Sequence, residues 1–329
     1  MSGTAILAVN DLHIDYYTFE GVVRAVRGVS IELCRGESLC IVGESGSGKS
    51  TIGLAIVRAL PPNGIVARGE ILYNNVDILR LSEEEMSKRI RGKEISIVFQ
   101  DPAATFNPLF TIGEVMLDVI AAQLGVRDRR RAYEHGIKML KLVELPDPER
   151  VMNSYPHELS GGMLQRAAIA VALSANPKLL IADEPTTMLD VTIQAQVLDL
   201  LKRLRKELSL SMIFITHNLG VAAEVCDRIM VLYAGTMFEE GYADTILTNP
   251  IHPYTRKLLE CIPRASRRVS RLRYIPGSLP DLKTPVSGCP FEPRCDYATK
   301  ICSVSPPLVR VVGHRHRVAC HLAQEKGGV

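Results

Sequence analysis

The run Gly43-Glu44-Ser45-Gly46-Ser47-Gly48-Lys49-Ser50-Thr51 constrains this chain more than any other stretch. It fits G-x-x-x-x-G-K-[ST], a loop that cradles phosphate between a strand and a helix. The apolar run Ser38–Val42 before it reads as a strand, and Thr51–Leu60 after it as a helix. Glycines at 43, 46 and 48 let the backbone turn tightly and bring its N–H groups close to phosphate. The helix start adds the positive end of a dipole. Lys49 is expected to reach the β- and γ-phosphates, and Ser50 to hold Mg²⁺. The motif alone implies a nucleoside triphosphatase on an α/β fold.

Composition narrows the setting. The 329 residues allow a large core and about two domains. A formal net charge of +3 gives no strong pull toward nucleic acid. The start, Met1-Ser2-Gly3-Thr4, lacks the basic and apolar regions of a signal peptide. No uncharged apolar run reaches the roughly 18 residues that span a bilayer. A cytoplasmic protein is expected, with any membrane role passing through a partner. Such a setting disfavours disulfides. Cys34, Cys40, Cys226 and Cys261 are therefore expected to be separate core thiols.

Along the chain, Ile6–Tyr17 and Val22–Leu33 alternate apolar and polar and read as strands of an antiparallel sheet. Tyr16 or Tyr17 is either an adenine-stacking aromatic or an ordinary strand residue. Glu70–Tyr73 and Ile95–Phe99 are strand-like, and the second ends at Gln100, where an amide can ligate Mg²⁺ or orient a water. From Thr111 to Leu173 the pattern is helical, and Arg127–Arg131 reads as a solvated charged face. Leu159-Ser160-Gly161-Gly162-Met163 leads into a helix, as a second anion-binding start or a simple cap. The apolar strand Leu179–Ala182 ends in Asp183-Glu184, which places two acids at the edge where open α/β sheets bind ligands. Asp183 is placed to organise Mg²⁺, and Glu184 to act as general base on the attacking water. Thr192–Lys206 is an amphipathic helix. Met212–Thr216 is a strand that delivers His217 to the same edge, where it is a candidate γ-phosphate contact. Arg228–Gly241 reads as a hairpin turning near Ala234-Gly235, and Asn249–Tyr254 opens a helix that runs to Cys261. A linker is expected near 263, where five arginines fall within residues 264–273.

Beyond it, Cys289, Cys295, Cys302 and Cys320 are spaced C-x₅-C-x₆-C-x₁₇-C. So short and loop-rich a segment lacks the periodicity for its own core. A metal centre would supply what packing does not. Four thiolates fit an iron–sulfur cluster or structural Zn²⁺. The spacings are wider than the C-x₂-C pairs usual for zinc, which favours a cluster. His314, His316 and His321 are candidate replacements for one ligand, and unligated thiols are the alternative.

Taken together, the P-loop, Gln100, Leu159–Gly162, Asp183-Glu184, Leu189-Asp190 and His217 resemble the nucleotide-binding subunit of ABC transporters over residues 5–245. The later segments narrow the likeness. Pro156–Met163, Asn249–Thr255 and the cysteine-bearing tail look like the ATPase subunits of oligopeptide/dipeptide importers, a family that includes nickel and oligosaccharide systems. The resemblance implies a P-loop (RecA-like) α/β core with a mixed, mainly parallel sheet and an N-terminal antiparallel subdomain. A helical subdomain would be inserted at about 101–172. The nucleotide-binding domain would run over 1–262, and a small Cys-rich extension over 263–329. It implies that Tyr16 stacks on adenine and that Gly43, Glu44, Ser45, Gly46, Ser47, Gly48, Lys49, Ser50 and Thr51 bind ATP. Ser50, Gln100 and Asp183 would hold Mg²⁺, while Glu184, His217 and Gln100 serve hydrolysis. Ser160, Gly161, Gly162 and Asp190 would close over ATP bound by the opposite subunit. Some family members hold a [4Fe–4S] cluster in this tail. The implied partners are two transmembrane permease subunits, a second ATPase subunit (a paralogue or a copy), and an extracellular solute-binding protein acting through the permease. The implied location is the cytoplasmic face of the membrane. Three positions depart from the commonest pattern: Met163 for glutamine, Thr187-Met188 for small residues, and Asn218 for aspartate. A soluble ABC ATPase working on nucleic acid is the rival reading. A single P-loop, the absence of sustained heptads and an arginine cluster without interleaved aromatics argue against it. An export ATPase is disfavoured by the importer-type tail.

Overall fold

A computed structural model of the chain describes residues 4–262, 274–284 and 286–326. The linker near 263 and the arginine run 264–273 lie outside the described residues. The chain divides into two compact units. One comprises Cys34–Glu37 and Arg80–Ile213, and the other Ala5–Leu33, Ser38–Leu79 and the chain from Phe214 onward.

The first unit carries the helices. Ile112–Leu124 opens on a reciprocal cap: the Thr111 hydroxyl accepts the Glu114 N–H at 3.2 Å, and the Glu114 carboxylate accepts the Thr111 N–H at 2.8 Å. Asp128 caps Arg129–Leu142, which buries Ala132, Gly136 and Leu140 and leaves Arg129–Arg131 in solvent, as a charged face should be. Two buried strands, Ile95–Val98 and Leu179–Asp183, pair in parallel with Ile95 opposite Leu179 and Val98 opposite Ala182. Their C-terminal ends therefore reach the same edge, and that register brings Gln100 to the Asp183-Glu184 pair.

The second unit holds an antiparallel sheet in the order Gly21–Cys34, Ala5–Thr18, Gly64–Tyr73, Val76–Asp77. A register shift falls between Asn10 and His13, with Asp11 at φ +46°. The extra residue resets the alternation, so that Leu12 and Ile14 are buried as Leu7 and Val9 are. The unit also holds strands of a mixed sheet. Ser38–Val42 runs parallel to Arg228–Tyr233, and both are buried throughout, as strands covered on two faces must be. Arg228–Tyr233 turns at Ala234-Gly235, both at positive φ, into antiparallel Thr236–Tyr242.

The tail does not fold apart from this unit. Its hairpin, Val309–Gly313 and His316–Ala319, extends the sheet, with Val318 opposite Glu239 and Arg317 opposite Glu240. Phe291 is fully buried against Tyr233, Phe238 and Tyr254. One sequence expectation is corrected here. Cys40 and Cys226 are joined as a disulfide, their Cα atoms 5.7 Å apart; a pairing across 186 positions leaves no spacing signal. His316 is bonded to the buried Glu239 carboxylate at 2.9 Å and His321 to the Ser305 carbonyl at 2.9 Å, each through Nε2. No helix among the described residues is long and apolar enough to cross a membrane.

Candidate functional site: a phosphate loop and a strand-end acid pair

In the second unit the loop leaves the end of Ser38–Val42 and enters the helix Lys49–Ile56 through Gly48 at φ +97°. Close packing forces the glycines. A methyl group at Gly43 would lie 2.1 Å from the Leu232 carbonyl oxygen, and one at Gly48 2.4 Å from that of Ala25. Neither backbone neighbour can yield, because both lie in strands. The Ser47 carbonyl accepts the Gly235 N–H at 2.9 Å, which ties the loop to the hairpin turn. Lys49 is buried, and its ammonium donates to the Gly43 and Glu44 carbonyls, each at 2.9 Å. The Tyr16 hydroxyl donates to Thr51 Oγ1 at 3.2 Å, so the aromatic residue of the antiparallel sheet stands beside the loop. His217 is exposed just past the strand Ser211–Thr216, and Asn218 caps the next helix, accepting the Gly220 N–H at 2.9 Å.

In the first unit the acid pair closes the buried strand. Glu184 is 8% exposed and sits at φ +45°, a region L side chains seldom occupy. Its Oε2 accepts from Thr187 Oγ1 at 2.8 Å and from Gln100 Nε2 at 3.4 Å. Thr187, a departure from the commonest family pattern, orients the glutamate. Ser160 caps the helix Gly161–Leu173, its Oγ accepting the Met163 N–H at 3.4 Å, and Asp190 caps Val191–Glu207 by accepting the Thr192 and Ile193 N–H groups. These two starts adjoin: a methyl at Gly162 would lie 2.6 Å from Ile193 Cγ2, and one at Gly161 3.6 Å from Leu189 Cδ2.

Two further side chains touch the loop. The Tyr254 hydroxyl accepts the Glu44 N–H at 3.2 Å, and Arg294 Nη1 donates to Glu44 Oε2 at 3.0 Å. Asn249–Thr255 stood out in the sequence without a role. Arg294 carried no signal, because its partner is 250 positions away.

The tail cysteines gather without forming a ligand shell. The Cys289 N–H donates to the Cys302 carbonyl at 2.7 Å. Burial pushes the Cys289 thiol up to about 12, and the thiols of Cys302, Cys320 and Cys295 add to the rise. Burial, and then neighbouring thiols, also raise Cys295 and Cys320. Among the described residues, no three His, Cys, Asp or Glu side chains are arranged to hold a metal ion.

A phosphate loop alone is common to many nucleoside triphosphatases; this chain adds a Ser-Gly-Gly helix start set against the Asp190 cap. Residues 26–187 match the ABC transporter family, and residues 238–302 match the oligopeptide/dipeptide transporter C-terminal region. The oligopeptide transport ATP-binding protein OppD of Bacillus subtilis is 49% identical over 94% of this chain and 86% of its own length. The dipeptide transport ATP-binding protein DppD of the same organism is 44% identical over 98% and 96%. Among solved structures, a dimeric ATP-binding cassette in a post-hydrolysis state with ADP and Pi superposes with a TM-score of 0.64 at 31% identity, covering 72% of this chain and 98% of that one. The chain belongs to the ATP-binding subunit family of ABC transporters, in its oligopeptide/dipeptide branch.

Proposed function

We propose that this chain is the ATP-hydrolysing subunit of a membrane importer that takes up di- and oligopeptides. The observation that carries the reading is a phosphate loop and an importer-type C-terminal region in one chain. The relatives' names, oligopeptide and dipeptide transport ATP-binding proteins, support peptides over nickel or oligosaccharides.

In this reading residues 43–51 bind the phosphates of ATP and Tyr16 stacks on the adenine. Ser50, Gln100 and Asp183 would hold Mg²⁺, which offsets phosphate charge when bound; the buried carboxylate at the strand end suits a cation. Glu184 takes the proton of the attacking water, its orientation fixed by Gln100 and Thr187. His217 contacts the γ-phosphate. Ser160, Gly161, Gly162 and Asp190 close over ATP held by a second ATPase subunit, a paralogue or a copy. ATP thus favours the closed pair and hydrolysis reopens it, which biases a two-state element coupled to two permease subunits. A solute-binding protein outside the membrane delivers peptide to the permease, and this chain works on the cytoplasmic face. Residues 1–262 form the ATPase domain and 263–329 its extension.

We propose Cys289, Cys295, Cys302 and Cys320 as the ligands of a [4Fe–4S] cluster, or of Zn²⁺, although the described residues do not present them as a formed site. The chemistry of four gathered thiols supports this reading. Iron, sulfide and zinc analysis of anaerobically purified chain tests it, and equal metal content in Cys295→Ser would refute it.

The function is tested by ATP hydrolysis of the complex extracted from membranes, with and without a peptide-loaded receptor protein. Stimulation by peptide is expected. Hydrolysis indifferent to peptide moves the substrate to nickel or oligosaccharide. A chain recovered with no membrane partner refutes the transport reading.

A further inference from the structure

The position after the first glycine of the phosphate loop is glutamate, an awkward residue in a loop that is to receive a triphosphate. Its surroundings answer the difficulty. Glu44 is held at three points: its N–H by the Tyr254 hydroxyl at 3.2 Å, its carbonyl by the Lys49 ammonium at 2.9 Å, and its carboxylate by Arg294 at 3.0 Å. Arg294 is itself fixed on every side. Its side chain is 6% exposed. It donates to the Tyr233 hydroxyl at 3.1 Å and to the Pro276 and Ile275 carbonyls at 2.8 and 3.2 Å. Its guanidinium lies 5.7 Å from the Tyr233 ring centroid and 6.0 Å from that of Phe291. A fork bonded this fully holds its charge in one place, which a flexible lysine does not. A second contact comes from the same segment, where Leu279 Cδ1 would lie 3.6 Å from a methyl at Gly46.

We infer that the C-terminal extension is a positioning element of the phosphate loop, with Arg294 neutralising and aiming Glu44 while Tyr254 holds its amide. Neutralisation matters because a bare carboxylate repels incoming phosphate at short range in a partly buried site. The Glu44 side chain is 28% exposed, but its Oε1 is occluded without a hydrogen-bond partner, so loss of Arg294 leaves a partly buried charge with less to satisfy it. The tail thus sets how readily the loop accepts nucleotide, while the chemical step is left to other residues. This inference rests on the reading of residues 43–51 as the ATP site.

The test uses the 329-residue chain, alone for ATP binding and hydrogen exchange and in the membrane complex for hydrolysis. Arg294→Ala is expected to weaken ATP binding about tenfold, the scale of a lost charge-assisted bond, and to raise KM with kcat within about twofold. Amide exchange over residues 43–48 should quicken. Arg294→Lys should restore part of the affinity. With Glu44→Gln already in place, Arg294→Ala should weaken binding much less than it does alone. Tyr254→Phe, which keeps the buried ring, should quicken exchange at the Glu44 amide even if the arginine variants fail to fold. Unchanged affinity and unchanged loop exchange in Arg294→Ala or in Tyr254→Phe would overturn the inference and leave these residues as mere anchors of the tail. Lys49→Ala separates the two claims, since ATP binding that survived it would refute the nucleotide reading itself.

Discussion

Glu184 occupies a strained backbone posture while its Oε2 receives two hydrogen bonds. Strain that survives beside a buried strand end is held there by the surrounding structure. Glu184→Gln keeps the shape and removes the proposed base. Its expected effect is a loss of hydrolysis of about 10²- to 10⁴-fold with ATP binding retained, read by single-turnover phosphate release. Much at this scale was legible in the sequence. Gly43, Gly48 and Lys49 stand in one contiguous motif, which a sequence records even though the carbonyls that crowd the two glycines, of Leu232 and Ala25, come from distant strands. Thr187 and Arg294 were not legible for the opposite reason. Thr187 acts through a turn that carries no fixed pattern, and Arg294 through a contact made only by folding. Cys40 and Cys226 show the same limit, being core thiols by their apolar neighbours and a pair only in space.

Among elements, the helices declared themselves best. Thr111–Leu173 and Thr192–Lys206 read as helical from their patterns, and the structure divides and starts them at caps supplied by Thr111 with Glu114, Asp128, Ser160 and Asp190. The tail hairpin did not, because its inner strand His316–Ala319 carries His and Arg at positions whose partners, Glu239 and Glu240, lie far upstream. Burial pushes the Glu239 carboxylate up, yet bonds from His316 and from the Ile251 and His252 N–H groups hold it below its ordinary value. The helix Pro253–Glu260 is capped by His252, whose Nδ1 accepts the Tyr254 N–H at 3.0 Å. Burial lowers this histidine from 6.5 to about 4. Above its unfolded value both states are neutral, and stability does not depend on it. As pH falls from 6.5 toward 4, the unfolded chain takes up a proton that the folded chain refuses. Stability should therefore drop by on the order of 3 kcal/mol across that window. Denaturant titrations at several pH values check this, and His252→Asn, which keeps a capping acceptor, should flatten the decline. Phe291→Ala should cost about 3–5 kcal/mol, measured the same way, because it empties the contact that seats the tail.

For the whole molecule, the proposed cycle turns on two subunits meeting across ATP. Glu184→Gln should trap that meeting: with ATP and Mg²⁺ the chain and its ATPase partner are expected to elute together on size exclusion, and apart with ADP. Gly162→Ala sets a methyl 2.6 Å from Ile193 Cγ2 and should push the Ser160 helix start away from the Asp190 cap. ATP binding should survive it while hydrolysis falls at least about tenfold, as measured by steady-state turnover of the complex. The tail hairpin has one more consequence. It lies along Thr236–Tyr242, and its His316 and Arg317 meet the buried carboxylates of Glu239 and Glu240. A chain cut after residue 262 would bare that strand's hydrogen-bonding edge and strip both acids of those partners. Such a fragment should sediment with the insoluble fraction when expressed, so shortened versions made for crystallography or ligand screening must keep the hairpin.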